Sequence, residues 1–154
     1  MINVSSRIEV NAPEEANGVS LNRSQVWDGL VSKARYAVPF VSAITECVVV
    51  EEQDNTFIRE VVLQGERLQE LVLLTHEQQV EFVRLSGSAR GIIKNVIEEE
   101  GGQLYLRFTF AFSLPGVPAG SEKELEFAEK MQKSYLGAVR STLQTIRGKI
   151  SGAA

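Results

Sequence analysis

The stretch Leu104-Tyr105-Leu106-Arg107-Phe108-Thr109-Phe110-Ala111-Phe112-Ser113-Leu114 alternates without a break. Leu104, Leu106, Phe108, Phe110, Phe112 and Leu114 share one face, and Tyr105, Arg107, Thr109, Ala111 and Ser113 the other, which is the period of a strand. A face carrying that many phenylalanines and leucines has to be covered. The cover follows at once. Pro115 to Gly120 reads as a loop, and Ser121 with Glu124 forms a capping-box pattern. The helix they open runs to about Lys149, roughly 40 Å at 1.5 Å per residue. Its apolar stripe starts at Leu125 and continues through Met131, Tyr135, Val139, Leu143 and Ile146 to Ile150. Acidic residues at its start and Arg147 and Lys149 at its end suit the helix dipole.

Upstream of that strand, Gly101-Gly102 is the clearest hairpin signal in the chain. Before it come five more apolar segments: Cys47–Glu51, Phe57–Leu63, Leu68–His76, Val80–Ser86 and Arg90–Glu100. Turn pairs at Asp54-Asn55, Gly65-Glu66, Glu77-Gln78 and Gly87-Ser88 separate them, and such short links imply neighbouring antiparallel strands. At the start of the chain, Ile2, Val4, Ile8 and Val10 alternate as a half-buried strand, Ala12-Pro13 ends it, and Asn17-Gly18 supplies a loop. A helix begins after Leu21 with Asn22 as its cap, and Pro39 either breaks it or starts a second short helix through Phe40, Val41 and Ile44.

The predicted architecture is α+β: a curved seven-stranded antiparallel sheet wrapped around the long C-terminal helix, with two short helices between strands one and two. One domain occupies 1–150, and 151–154 form a frayed tail. A sheet that wide curls, and curling leaves more interior than a flat layer can close. A pocket between sheet and helix is expected.

Composition removes several function classes. At 154 residues with 44% hydrophobic and 23% charged side chains, the chain has the make-up of one globular domain rather than a disordered segment. A net charge of −4 argues against a nucleic-acid partner. With a single cysteine, Cys47, and a single histidine, His76, no metal or other cofactor is expected. No targeting segment stands out, and no run approaches the roughly 20 apolar residues of a membrane span. The expectation is a cytoplasmic protein with no stable membrane insertion and with Cys47 reduced and buried.

Four further stretches carry a family resemblance: Gln25-Val26-Trp27-Asp28-Gly29-Leu30, Asn55-Thr56-Phe57-Ile58-Arg59-Glu60-Val61, Leu104 to Phe110, and Thr145-Ile146-Arg147. The element order resembles the helix-grip fold of the Bet v 1-like superfamily, which includes START lipid-transfer domains, plant pathogenesis-related allergens and polyketide cyclases. The stretches look like its AtaL-like branch. The resemblance covers nearly the whole chain. It implies a ligand cavity under the C-terminal helix and attaches no defined reaction to it. The glycine-rich loop of the plant allergens has no counterpart, since Gly65-Glu66-Arg67 holds one glycine.

Arg59 shares a strand face with Phe57, Val61 and Leu63. If that face looks inward, its guanidinium needs an anionic ligand or a carboxylate such as Glu46, Glu70 or Glu81. Asn95, between Ile93 and Ile97, reads as a ligand contact or a structural hydrogen bond. Tyr135, on the inward stripe of the long helix, reads as a polar contact or as a core aromatic. Trp27 is a core residue or a gate. Phe108 and Phe110 are core or pocket wall, His76 a solvated turn residue, and Glu98 to Glu100 a solvated charge run. The function this supports is binding of a small hydrophobic or aromatic ligand, such as a lipid or polyketide-like metabolite. Trp27, Phe57, Phe108, Phe110 and Met131 would supply apolar contacts, and Arg59, Asn95 and Tyr135 polar ones. Two alternatives stand beside it. One is an enzyme resembling polyketide cyclases and aromatases, in which Arg59, Asn95 and Tyr135 orient an enolate and move protons. The other is an interaction module that dimerises through an edge strand, so that both monomer and homodimer remain open.

Overall fold

Alternating side chains become seven strands in the computed structural model, which describes residues 2–13, 19–87 and 90–152, the last two of these by backbone alone. The elements in chain order are β1 (Ile2–Glu9), α1 (Arg23–Arg35), β2 (Ile44–Gln53), β3 (Thr56–Leu63), β4 (Glu66–Thr75), β5 (Gln79–Arg84), β6 (Arg90–Glu100), β7 (Gln103–Ser113) and α2 (Glu122–Gly152). β2 to β7 form an antiparallel meander, and β1 returns to pair with β7, giving the order β1-β7-β6-β5-β4-β3-β2. The fold is the expected helix grip: a curved sheet against a long C-terminal helix. The expected loop at Asn17-Gly18 and the second residue of the Gly87-Ser88 turn lie outside the described residues.

Two-residue turns set the register. Gly101 and Gly102 have φ of +58° and +79°, the left-handed pair that lets β6 and β7 join with their natural twist. Phe108, Phe110 and Phe112 are all at most 2% exposed on the concave face, as the alternation predicted. β2, at the sheet's edge, is the irregular strand. Its pairing with β3 slips between Ile44 and Glu46 and again between Val49 and Glu51, and Val48 and Val50 stay exposed.

α1 opens where expected. The Asn22 side chain accepts from the Gln25 N–H at 2.8 Å, and the Gln25 side chain accepts from the Asn22 N–H at 2.9 Å, a reciprocal capping box. The second short helix expected from Pro39 does not form. The carbonyl of Ala37 accepts from the N–H groups of both Phe40 and Val41, that of Val41 accepts from Ile44, and the chain enters β2 after two turns. Burial of Ala37, Phe40 and Ile44 fixes these turns in place of a continuing helix.

α2 lies across the concave face as expected, with two differences. Leu125 is 61% exposed, because the first turns of the helix precede the part that meets the sheet. Phe127 takes part in the core instead, with Ala128, Met131 and Tyr135. The helix also runs through Gly152, beyond the expected start of a frayed tail at 151, while Ala153 and Ala154 are outside the described residues.

α1 and α2 cross at Gly29. A Cβ there would sit 2.2 Å from Ile146 Cδ1 and 2.3 Å from its Cγ1, so the crossing depends on a missing side chain. Gly29→Ala is expected to destabilise the protein by about 1–3 kcal/mol, the range for overpacking. In an Ile146→Ala background the penalty should vanish, as a double-mutant cycle by urea unfolding would read.

Candidate functional site

A row of charges crosses the middle of the concave face. Arg59 on β3 lies directly opposite Glu70 on β4, and Glu70 lies directly opposite Arg84 on β5. All three are buried, at 6%, 2% and 8% exposure, where unpaired charge would be very costly. They satisfy one another. Arg59 Nε and Nη2 donate to Glu70 Oε1 at 3.0 and 2.8 Å, and Arg84 Nε and Nη2 donate to Oε2 at 3.3 and 3.2 Å. Each guanidinium also lies over an aromatic ring, Arg59 over Phe82 at 4.6 Å and Arg84 over Phe112 at 5.1 Å.

The row is tied to α1. Arg59 Nη1 donates to the carbonyls of Ala34 at 3.0 Å and Lys33 at 3.3 Å, which face outward from the end of the helix. From that same turn Lys33 points inward, and its Nζ donates to Asn95 Oδ1 on β6. α2 contributes Tyr135, whose ring lies against Phe108 and Phe110 with centroids at 6.1 and 5.3 Å.

These side chains close one end of a cavity of about 110 Å³ between the sheet, α1 and α2. Lys33, Arg59, Glu70, Arg84, Asn95 and Tyr135 form its polar part. Val61, Phe82, Ile93, Met131 and Val139 form apolar wall. Gln64 and Ser134 are exposed lining residues and mark the mouth.

Burial and charge retune three of these groups. Burial lowers the Lys33 ammonium to about 7, helped by the Arg59 charge and partly opposed by Glu70. Burial alone would raise the Glu70 carboxyl, but Arg59 and Arg84 together hold it below its ordinary value. Burial pushes the Tyr135 phenol up to about 12, against the pull of the Arg84 charge. At neutral pH the site therefore holds a carboxylate, two guanidinium groups, a neutral phenol and an amine near its midpoint.

Of the residues singled out in the sequence, Arg59, Asn95, Met131 and Tyr135 meet in the cavity. Trp27, Phe57, Phe108 and Phe110 do not line it. Trp27 is buried with its ring edge-on to His76 at 5.8 Å, and Phe57 is buried beneath the Arg35 guanidinium at 5.0 Å. Phe108 and Phe110 act one layer back by holding the Tyr135 ring. Arg59 is both inside and paired, with Glu70 as its carboxylate. Glu98 is not merely solvated, since Arg107 Nε donates to it at 2.8 Å. Two lining charges, Lys33 and Arg84, carried a readable signal that was not used. Arg84 continues the inward phase of Val80 and Phe82, and Lys33 follows Val26 and Leu30 on the buried side of α1.

The family model described as "Acetylaranotin biosynthesis cluster protein L", AtaL, matches residues 8–151. The chain belongs to the AtaL family. No curated protein sequence matches this AtaL-family chain. Among solved structures, a START superfamily protein from Mycobacterium smegmatis aligns with a TM-score of 0.64 and 13% identity, over 95% of this chain and 99% of that one. The Zhui aromatase/cyclase from Streptomyces sp. R1128 aligns at 0.63 and 17%, over 96% and 92%. The di-domain ARO/CYC StfQ from the steffimycin biosynthetic pathway aligns at 0.74 and 8%, over 98% of this chain and 52% of that one. At these identities the likeness shows the AtaL-family protein's fold.

Two stability outcomes follow from the charge row. Glu70→Gln leaves two buried guanidinium groups without their carboxylate and should destabilise the fold by about 3–5 kcal/mol in urea unfolding. The wild-type contribution of Glu70 is present above its unfolded-state value and is lost as pH falls through its lowered folded-state value. Lys33, whose folded-state value is also lowered, gives the same sign in a higher window. Between about pH 7 and 10 the unfolded chain binds its proton and the folded chain does not, so stability should rise with pH across that window. In Lys33→Met the rise should flatten.

Proposed function

We propose that this is a cytoplasmic binding protein for a small, mostly hydrophobic or aromatic molecule that carries an anionic or enolic oxygen. The observation that carries the reading is the charge balance of the cavity. One carboxylate, Glu70, faces two guanidinium groups and an amine inside an apolar wall. The site has a surplus of positive charge, and a ligand oxyanion would complete it. Arg84 is the better ligand contact. Its bonds to Glu70 are longer than those of Arg59, whose Nη1 is taken by the end of α1. Apolar walls with a few convergent polar groups are the usual make-up of small-molecule sites.

A second reading, turnover of a poly-β-ketone, has one specific observation in its favour. Tyr135 keeps its proton through the neutral range and lines the same cavity as Arg84, an arrangement suited to protonating an enolate that a guanidinium holds. The fold is shared with an aromatase/cyclase, which supports this reading. In that case loss of turnover in Tyr135→Phe, with binding retained, would identify the proton donor.

The binding reading is tested by titrating the protein with 1-anilinonaphthalene-8-sulfonate and displacing the dye. 2-Naphthoic acid should displace it about tenfold more tightly than 2-naphthamide, the scale of one charge-assisted hydrogen bond. Arg84→Met should abolish the preference for the acid and leave the amide little changed. Equal displacement by acid and amide would refute the oxyanion site.

A further inference from the structure

We propose that Lys33 is an imine-forming amine, which captures a ketone or aldehyde carbonyl of the molecule bound in the cavity. The proposal rests on the cavity being a ligand site and adds a covalent step to it.

Lys33 differs from the other lysines of the chain. It is 9% exposed, whereas Lys123, Lys130, Lys133 and Lys149 are exposed and Lys94 lies on the outer face of the sheet near Glu81. Buried lysines are normally paired with a carboxylate. No carboxylate among the described residues forms an ion pair with Lys33. Glu70 faces the same space, but Arg59 and Arg84 occupy both of its oxygens. The partner Lys33 does have is a carbonyl oxygen, that of Asn95, which takes one N–H and leaves the nitrogen's remaining valence to the cavity.

The surroundings favour the neutral amine from several sides. Arg59 on β3 places its charge against the same turn of α1, and Arg84 on β5 adds a second cation to the cavity. Tyr135 on α2 is uncharged, while the face of Phe82 on β5, 5.8 Å from Nζ, weakly favours the ammonium. Glu70 on β4 is the one opposing charge. A desolvated lysine beside another cation is the usual arrangement of an amine nucleophile. The value near 7 leaves about half of Lys33 neutral at pH 7, against roughly one in three thousand for an ordinary exposed lysine.

The step balances without any oxidant or reductant. The nitrogen lone pair attacks the carbonyl carbon, and a C–N bond forms. The oxygen takes two protons, one from nitrogen and one from the Tyr135 phenol, and leaves as water as the C–O bond breaks and the C=N bond forms. The second nitrogen proton then returns to the Tyr135 phenolate. With a 1,3-diketone, one proton then moves from the central carbon to nitrogen, giving a conjugated enaminone. Carbonyl groups spaced in that way are what a polyketide-like ligand offers.

The test uses the full-length protein at about pH 7 with acetylacetone, and separately with 2-naphthaldehyde plus sodium cyanoborohydride as trap. Peptide mass spectrometry of the wild-type protein should show, on Lys33, one acetylacetone added less one water, and one 2-naphthaldehyde added less one oxygen once cyanoborohydride has reduced the C=N bond, each at least about tenfold faster than on any other lysine. Lys33→Arg, which keeps the charge, should lose this adduct while its far-UV circular dichroism matches that of the wild-type protein. Displacement of the naphthalene sulfonate dye by 2-naphthaldehyde, with adducts confined to the exposed lysines, would overturn the imine step and leave the binding site standing. No displacement and no adduct would overturn both.

Discussion

A carboxylate held between two guanidinium groups in the middle of a sheet constrains everything around it. Arg59, Glu70 and Arg84 are opposite one another on three adjacent strands, so each can be satisfied only if both pairings keep their register. A slip of one residue would turn the whole row to the outer face. The row also divides the interior. Phe57 and Val72 on one side belong to the main core with α1 and β7, and Val61 and Leu68 on the other form a smaller cluster with Ala37, Ile44 and Cys47. Arg59 joins the two by holding the last carbonyls of α1, and this sets where the helix stops and where Lys33 projects.

The cavity is a consequence of that division. Apolar side chains could have filled the space under α2, and ion pairs in such places are often no more stabilising than a packed hydrophobic replacement. What the row contributes is a wall whose charges are fixed in direction and left one anion short. The same shortage of carboxylate bears on Lys33, so the proposed anion binding and the altered amine share one electrostatic origin. Tyr135, held by two phenylalanines of β7, closes the arrangement from the helix side.

Much of this was legible in the chain, and the remainder was hidden for specific reasons. The β7 alternation, the Asn22 cap, the Gly101-Gly102 turn and the long helix are local signals, and each appears where its residues put it. Arg59 could be seen to share a face with Phe57 and Val61, and Glu70 one with Leu68 and Val72. Their pairing hung on one residue of the turn. A turn at Gly65-Glu66, as expected from the sequence, would set Arg59 against Val72. The turn at Gln64-Gly65 instead puts Leu63 opposite Glu66 and, four steps back along each strand, Arg59 opposite Glu70. Arg84 escaped because it ends a six-residue strand, where an outward charge before a turn is the commoner pattern. Lys33 escaped because a lysine near the end of a helix reads as a dipole partner. Its burial is decided by β6 and α2, far away in sequence. Leu125 shows the converse: a periodic stripe reports which way a helix faces, not how far its covering layer extends.

The two register slips in β2 govern how the sheet ends. An incoming strand aligned along β2 would meet a ladder of hydrogen bonds that shifts near Ile44 and again near Val49, and it would need matching irregularities to follow it. A plain extended peptide cannot supply them, so the broken rhythm of this edge works against open-ended stacking of one sheet on the next, even with Val48 and Val50 exposed there.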